Sequence, residues 1–454
     1  MKNVGWCVSI AVSAIALILS ACGGGMQGPS SSAMTMYSKA MASSSLSHTM
    51  ASPSPSSMAA PPTGSAFAFT NTPLVANTAA GTADVLPANT VAQGDSNLFV
   101  FPQTKNTSLD PNLAHGWGVS FGPGSPVWVN AYASNLSALY DGNGAVIPPS
   151  VQPAVAIPAN AGGGAAGPTG IVANINTITC PNIAAPTCAF GTGFAAGAGA
   201  AQFIFDGTGG TISAWAAGST AITEFDGSAT GDNFTGLAIY TQTTGSTYLL
   251  APDFHGGAVD VFDSNFKPNT TAFAGGFHDP NLPAGYAPFG IQTLGGLIYV
   301  SYAMQPSSPQ PASEPAVLGE GLGLVDIFDG TGTLMKELIP VGGPLNAPWG
   351  MALAPQGFGS IGGDLLIGNF GDGRINVFDP SSGAMLGTLT DAATGTPIHI
   401  PGLWGIAFGN GAFSQSPTAL YYAAAPDMMS QGLYGSISPA AASLPPSPPP
   451  PPFY

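Results

Sequence analysis

Charge is what this sequence most lacks. Only 6% of its 454 residues are charged, with 6 Lys and Arg against 22 Asp and Glu. The formal net charge is −16, one unit more negative once Lys2 leaves with the leader described below. So few cations cannot release many counterions from a phosphate backbone, which excludes nucleic acid as a partner. Adhesion to anionic lipid headgroups by charge alone is excluded on the same ground. Cysteine is also scarce, at 4 residues. The longest apolar stretch near the start, Val8 to Leu19, falls short of the roughly 20 residues a membrane-spanning helix needs. Gly and Pro are abundant instead, at 63 and 44 residues, and hydrophobic residues reach 45%. That balance predicts many short strands and turns around a sizeable core.

The first 21 residues read as an export signal: a positive Met1-Lys2, the apolar run, then Leu19-Ser20-Ala21-Cys22. The last four resemble the bacterial lipobox. That resemblance implies cleavage before Cys22 and a diacylglycerol on its sulfur, hence a lipoprotein held at a cell-envelope membrane by its acyl chains. Gly23 after the cysteine directs it to the outer membrane if the host is Gram-negative. Cys7 leaves with the signal, so Cys180 and Cys188 remain as an even pair around a Pro-containing loop. In an oxidising compartment they are expected to form a disulfide.

Residues 22–92 are rich in Gly, Ser, Met and Pro and are expected to be a disordered tether. Residues 438–454 form a Pro-rich tail with polyproline II character. Between them, over 93–437, runs a repeat. Its marker is an aromatic residue or Thr, then Gly, then an apolar strand: Trp117-Gly118-Val119, Thr169-Gly170-Ile171, Thr235-Gly236-Leu237, Phe289-Gly290-Ile291, Trp349-Gly350-Met351 and Trp404-Gly405-Ile406. Successive glycines lie 52, 66, 54, 60 and 55 residues apart. A second strand marker follows in most units, as in Asp260-Val-Phe-Asp263, Asp326-Ile-Phe-Asp329 and Asn376-Val-Phe-Asp379. The closing Asp of each is expected to cap a tight turn. Six such units predict an all-β, six-bladed propeller, because one small sheet cannot bury both faces alone. The orphan run Asn97–Phe101 is expected to enter the last blade as the N-terminal strand that closes the ring.

The runs Gly116-Trp-Gly-Val-Ser-Phe121, Gly343-Pro-Leu-Asn-Ala-Pro-Trp-Gly350 and Gly368-Asn-Phe-Gly-Asp-Gly-Arg-Ile375 resemble a family of uncharacterised bacterial exported proteins. The likeness spans about residues 95–437 and implies a propeller distantly similar to the NHL and SMP-30/gluconolactonase propellers. NHL repeats serve mostly as binding platforms, whereas the lactonases hold one divalent ion near the channel mouth with carboxylate and amide ligands. The six turns before the marker strands contain neither Asp nor Glu, and a hard cation wants carboxylate oxygens. No metal, cofactor or catalytic residue is therefore assigned. Two functions remain: an envelope-anchored binding or scaffold propeller, and an SMP-30-like metal-dependent hydrolase.

Candidate ligand contacts are placed at one channel mouth. Trp117, Phe289, Trp349 and Trp404 occupy equivalent places and form either an aromatic collar or inter-blade packing. His255, Asp372 and Arg374, the chain's single arginine, lie in glycine-containing turns. The expected ligand is a small molecule, glycan or protein, and the chain is expected to be a monomer. Its low charge suits work outside the cytoplasm, where acid protonates carboxylates without breaking many ion pairs.

Overall fold

A computed structural model describes residues 67–77, 83–85, 98–100, 107–147, 154–175, 193–197, 199–307, 316–426 and 429–440. Cys22, the Cys180–Cys188 loop and the Pro-rich tail lie outside the described residues. The described chain is all-β and forms a six-bladed propeller. Blade 1 runs Gly116–Phe121, Val127–Ala131, Leu136–Tyr140 and Ala154–Ala156, and blade 2 runs Pro168–Ala173, Phe203–Gly207, Thr211–Trp215 and Ile222–Asp226. Blade 3 has three strands, Ala238–Thr241, Thr247–Asp253 and Ala258–Phe262. Blades 4 and 5 have four each, from Tyr286–Leu294 to Leu334–Ile339 and from Pro348–Leu353 to Met385–Thr388. Blade 6 contains Leu403–Phe408, Leu420–Ala424 and Leu433–Pro439. Neighbouring strands within these blades are antiparallel.

Alternation along the strands explains why the sheets stack. In blade 5, Leu365 and Ile367 pack toward blade 4 while Leu366 packs toward blade 6. In blade 1, Val127 and Val129 face blade 6 and Trp128 faces blade 2. A second strand covered on both faces reads as a continuous apolar run, and each large side chain so buried contributes roughly 1.5–3 kcal/mol. The third strands behave as the sequence pattern predicts: Ile375 and Val377 share the face toward blade 6. Their closing acids cap the turns. Asp263 Oδ1 accepts from the Asn265 and Lys267 amides, Asp329 Oδ1 from Thr331 and Thr333, and Asp379 Oδ1 from Ser381 and Ser382.

The ring closes with an N-terminal strand, but a different one from that expected. Ala68–Ala76 lies antiparallel to Leu433–Pro439, pairing Thr72 with Ser436 and Ala76 with Leu433. Leu98–Val100 pairs with Ala83–Val85 in a separate two-stranded sheet. The propeller therefore begins inside the stretch assigned to the tether. Phe69 and Val75 are buried, and Phe69 stacks on Phe358 with ring centroids 4.7 Å apart. Pro73 hides the strand from sequence reading, because Pro within a run argues against a paired strand. Here it precedes a bulge between Pro73 and Val75, where a missing N–H is tolerated.

Candidate functional site

The first strands of the six blades surround the axis, each neighbouring the next until Leu403–Phe408 meets Gly116–Phe121. The marker glycines stand where these strands come closest. A Cβ on Gly118 would lie 2.3 Å from the Thr169 carbonyl, and one on Gly170 2.2 Å from the Leu237 nitrogen. On Gly290, Gly350 and Gly405 it would lie 2.5, 2.5 and 2.7 Å from the carbonyls of Trp349, Trp404 and Trp117. Gly236 is looser, 3.4 Å from the Phe289 carbonyl. The repeat keeps glycine because the next blade's backbone occupies the space of a side chain. Side chains reinforce the ring: Asn130 Nδ2 donates to the Thr169 and Gly170 carbonyls, Thr235 Oγ1 to Phe289, and Ser301 Oγ to Pro348.

On one side of the glycine ring the four marker aromatics meet. Trp404 is the hub, stacked on Trp117 at 3.6 Å and on Phe370 at 4.0 Å, with Phe289 at 5.7 Å. Trp349 meets Trp404 edge-on at 6.0 Å, and its Nε1 donates to the Thr235 carbonyl of blade 3 at 2.6 Å. Blades 3 and 5 are not neighbours, so this bond bridges past the first strand of blade 4. Trp117, Phe289 and Trp404 are buried. The structure thus brings the four together as a packed aromatic plug among the described residues, in the arrangement of the inter-blade packing alternative. His115 closes against it, its ring 4.6 Å from Tyr132 and 5.4 Å from Trp117. Burial pushes the His115 imidazole down to about 3, so it is neutral at ordinary pH.

The other predicted residues lie in turns next to Phe254 and Phe370 of this aromatic cluster. His255 is exposed, while its backbone N–H donates to Asp253 Oδ1. Asp372 is buried and accepts from the Arg374 N–H at 3.1 Å. Burial raises Asp372 to about 6, against the opposing Arg374 amide bond and guanidinium charge. The two turns match at Gly257 and Gly373, which take φ of +72° and +68°, where glycine is favoured. Among the described residues no group of three His, Cys, Asp or Glu side chains is arranged to hold a metal ion.

On the opposite side of the glycine ring the channel opens. A cavity of about 440 Å³ is walled by residues from all six first strands, among them Val119, Val172, Ile239, Leu294, Met351 and Ile406. Its floor continues into a recess of about 30 Å³ at the ring itself, lined by the residue after each marker glycine: Val119, Ile171, Leu237, Ile291, Met351 and Ile406. Val119, Ser120, Gln292 and Phe408 are only partly buried, which shows the cavity open to solvent. Among the described residues, no Lys, Arg, His, Asp or Glu lines it. Sequence reading placed the ligand at the aromatic mouth and missed this one. The signal was present in the unbroken series of apolar residues after the glycines.

No family model matches the chain. It is 34% identical over 205 residues to one uncharacterised protein of Acanthamoeba polyphaga mimivirus and 35% identical over 206 residues to another. These alignments cover 45% of this chain and 51% and 48% of those proteins, so the chain spans about half the length of the curated relatives it matches. The relatives are viral and give no support to the bacterial side of the resemblance. Among solved structures, a virginiamycin B lyase from Staphylococcus aureus aligns with a TM-score of 0.41 at 11% identity, over 81% of this chain and 95% of that one. A glucose dehydrogenase aligns with a TM-score of 0.39 at 13% identity, over 72% and 96%. Likeness at this level carries no inference about chemistry.

Proposed function

We propose that this propeller is a binding module that holds an apolar small molecule in the aliphatic mouth of its channel. One observation carries the reading: a cavity of about 440 Å³, lined from every blade and, among the described residues, by no charged side chain, opposite a mouth filled by aromatics. Its volume falls in the range of small-molecule sites, roughly 300–1,000 Å³. The resemblance of Leu19-Ser20-Ala21-Cys22 to a lipobox is what supports display of this module at an envelope membrane. Loss of palmitate labelling in Cys22→Ala, with the parent chain labelled, is the expected result for that anchor. For the alternative, a metal-dependent hydrolase, no metal-holding group of His, Cys, Asp or Glu occurs among the described residues.

The binding reading is tested with N-phenylnaphthylamine, a neutral apolar fluorophore, added to the purified full chain in detergent-free buffer. Saturable fluorescence is expected, and it should be abolished by Ser120→Trp, which fills the cavity from a half-buried wall position. A melting curve checks that the variant folds. Absence of saturable binding to the parent chain, or full binding to a folded Ser120→Trp, contradicts the reading.

A further inference from the structure

Resting on that reading of the cavity, we propose that its ligand is an uncharged amphiphile: an aliphatic body ending in one neutral hydrogen-bonding head, selected by Gln292. The head is expected to be an alcohol, amide or carbonyl group.

The lining fixes the charge of the ligand. A carboxylate drawn into this cavity would shed water and find no Lys, Arg or His among the described lining residues. An ammonium would find no carboxylate among them. Transfer of an unpaired ion out of water is heavily penalised, far more than that of a neutral hydroxyl. The chain's net charge of −16 adds repulsion against anions.

The lining also limits the number of polar groups the ligand can satisfy. Its polar side chains include Ser120, Gln292 and Thr293. Thr293 Oγ1 already donates to the Ile239 carbonyl at 3.0 Å. Ser120 stands at the cavity wall, while Gln292 lines both the cavity and the recess below it. The Gln292 amide offers two donors and an acceptor, so it matches a hydroxyl, amide or carbonyl equally. The recess, at about 30 Å³, has room for a group the size of one or two waters. A sugar, with many hydroxyls to satisfy, would leave most of them against aliphatic walls.

The test is displacement of N-phenylnaphthylamine from the full chain by 1-decanol, decanoate and decyltrimethylammonium. Decanol is expected to displace the probe at a concentration at least tenfold below that needed with either ion. Gln292→Leu is expected to weaken decanol about fivefold, the loss of one neutral hydrogen bond, while the probe still binds. Equal displacement by decanol and decanoate, or an unchanged decanol affinity in a folded Gln292→Leu, overturns the inference while leaving the binding reading standing. Failure of the probe itself to bind overturns the binding reading instead.

Discussion

The Trp349 indole in blade 5 donates to the Thr235 carbonyl in blade 3 at 2.6 Å, a strut that links two blades on either side of blade 4. It also completes an aromatic plug around Trp404. Trp349→Phe keeps an aromatic ring and removes the donor, leaving a carbonyl at the axis without this partner. A loss of about 1 kcal/mol is expected, read from the denaturant midpoint. A midpoint equal to that of the parent chain would show that the strut contributes nothing.

The glycine ring gives a graded expectation. Gly118→Ala and Gly170→Ala drive a methyl to within 2.3 and 2.2 Å of the next blade's backbone, which cannot yield as a side chain can. Each should destabilise by about 3 kcal/mol or more, at the upper end of overpacking. Gly236→Ala meets its nearest atom at 3.4 Å and should be far milder. Thermal melts of the three variants check the order, and a Gly236→Ala as damaging as Gly118→Ala would contradict it.

Closure by Ala68–Ala76 makes Phe69 a core residue of the last blade, 1% exposed and stacked on Phe358. Phe69→Ala is expected to cost about 3–5 kcal/mol. Chemical denaturation measures it. A cost under about 1 kcal/mol would mean that the strand does not complete the blade in solution.

Four acids outside the cavity make stability rise with acid. Burial lifts Asp206 and Asp326 to about 7, the latter with added repulsion from Asp279 and Glu337. Burial lifts Asp260 and Asp372 to about 6. Their ordinary value is 3.8, so between about pH 4 and 7 the folded chain holds more protons than the unfolded chain. Their contribution is fully present below about pH 4 and is lost as pH rises through 6 and 7. Asp379 and His115 act in the opposite sense: hydrogen bonds from Ser381 and Ser382 hold Asp379 down to about 2, and burial holds His115 down to about 3. Their contributions are lost as pH falls below about 4 and 6.5 respectively, a smaller effect than that of the four raised acids together. The melting temperature is expected to be several degrees higher at pH 5 than at pH 8. A maximum confined to neutral pH would contradict this, together with the suggestion that the chain suits acidic surroundings.

The blade count was legible because a marker glycine recurs in all six units, and in five of them it answers the close approach of the next blade's backbone. The turn acids were legible because an Asp closing a strand can accept from the amides that follow. The closing strand was not, since Pro73 breaks the apolar pattern and only the edge it pairs with makes Ala68–Ala76 a strand. Trp117 and Trp404 pointed to the axis, but their identity could not separate a collar from a plug. That depends on whether rings from non-adjacent blades reach one another, as Trp349 and Trp117 do with centroids 6.4 Å apart. The aliphatic mouth was hidden for a similar reason: Val119 and Met351 look like any core residues until the axis leaves them facing a gap.

The most direct test is a crystal structure of the chain grown with 1-decanol. The account predicts ordered density against Val119, Met351 and Ile406, with the hydroxyl within hydrogen-bond reach of Gln292. An empty aliphatic mouth, or decanol seated among the plug tryptophans instead, would contradict it.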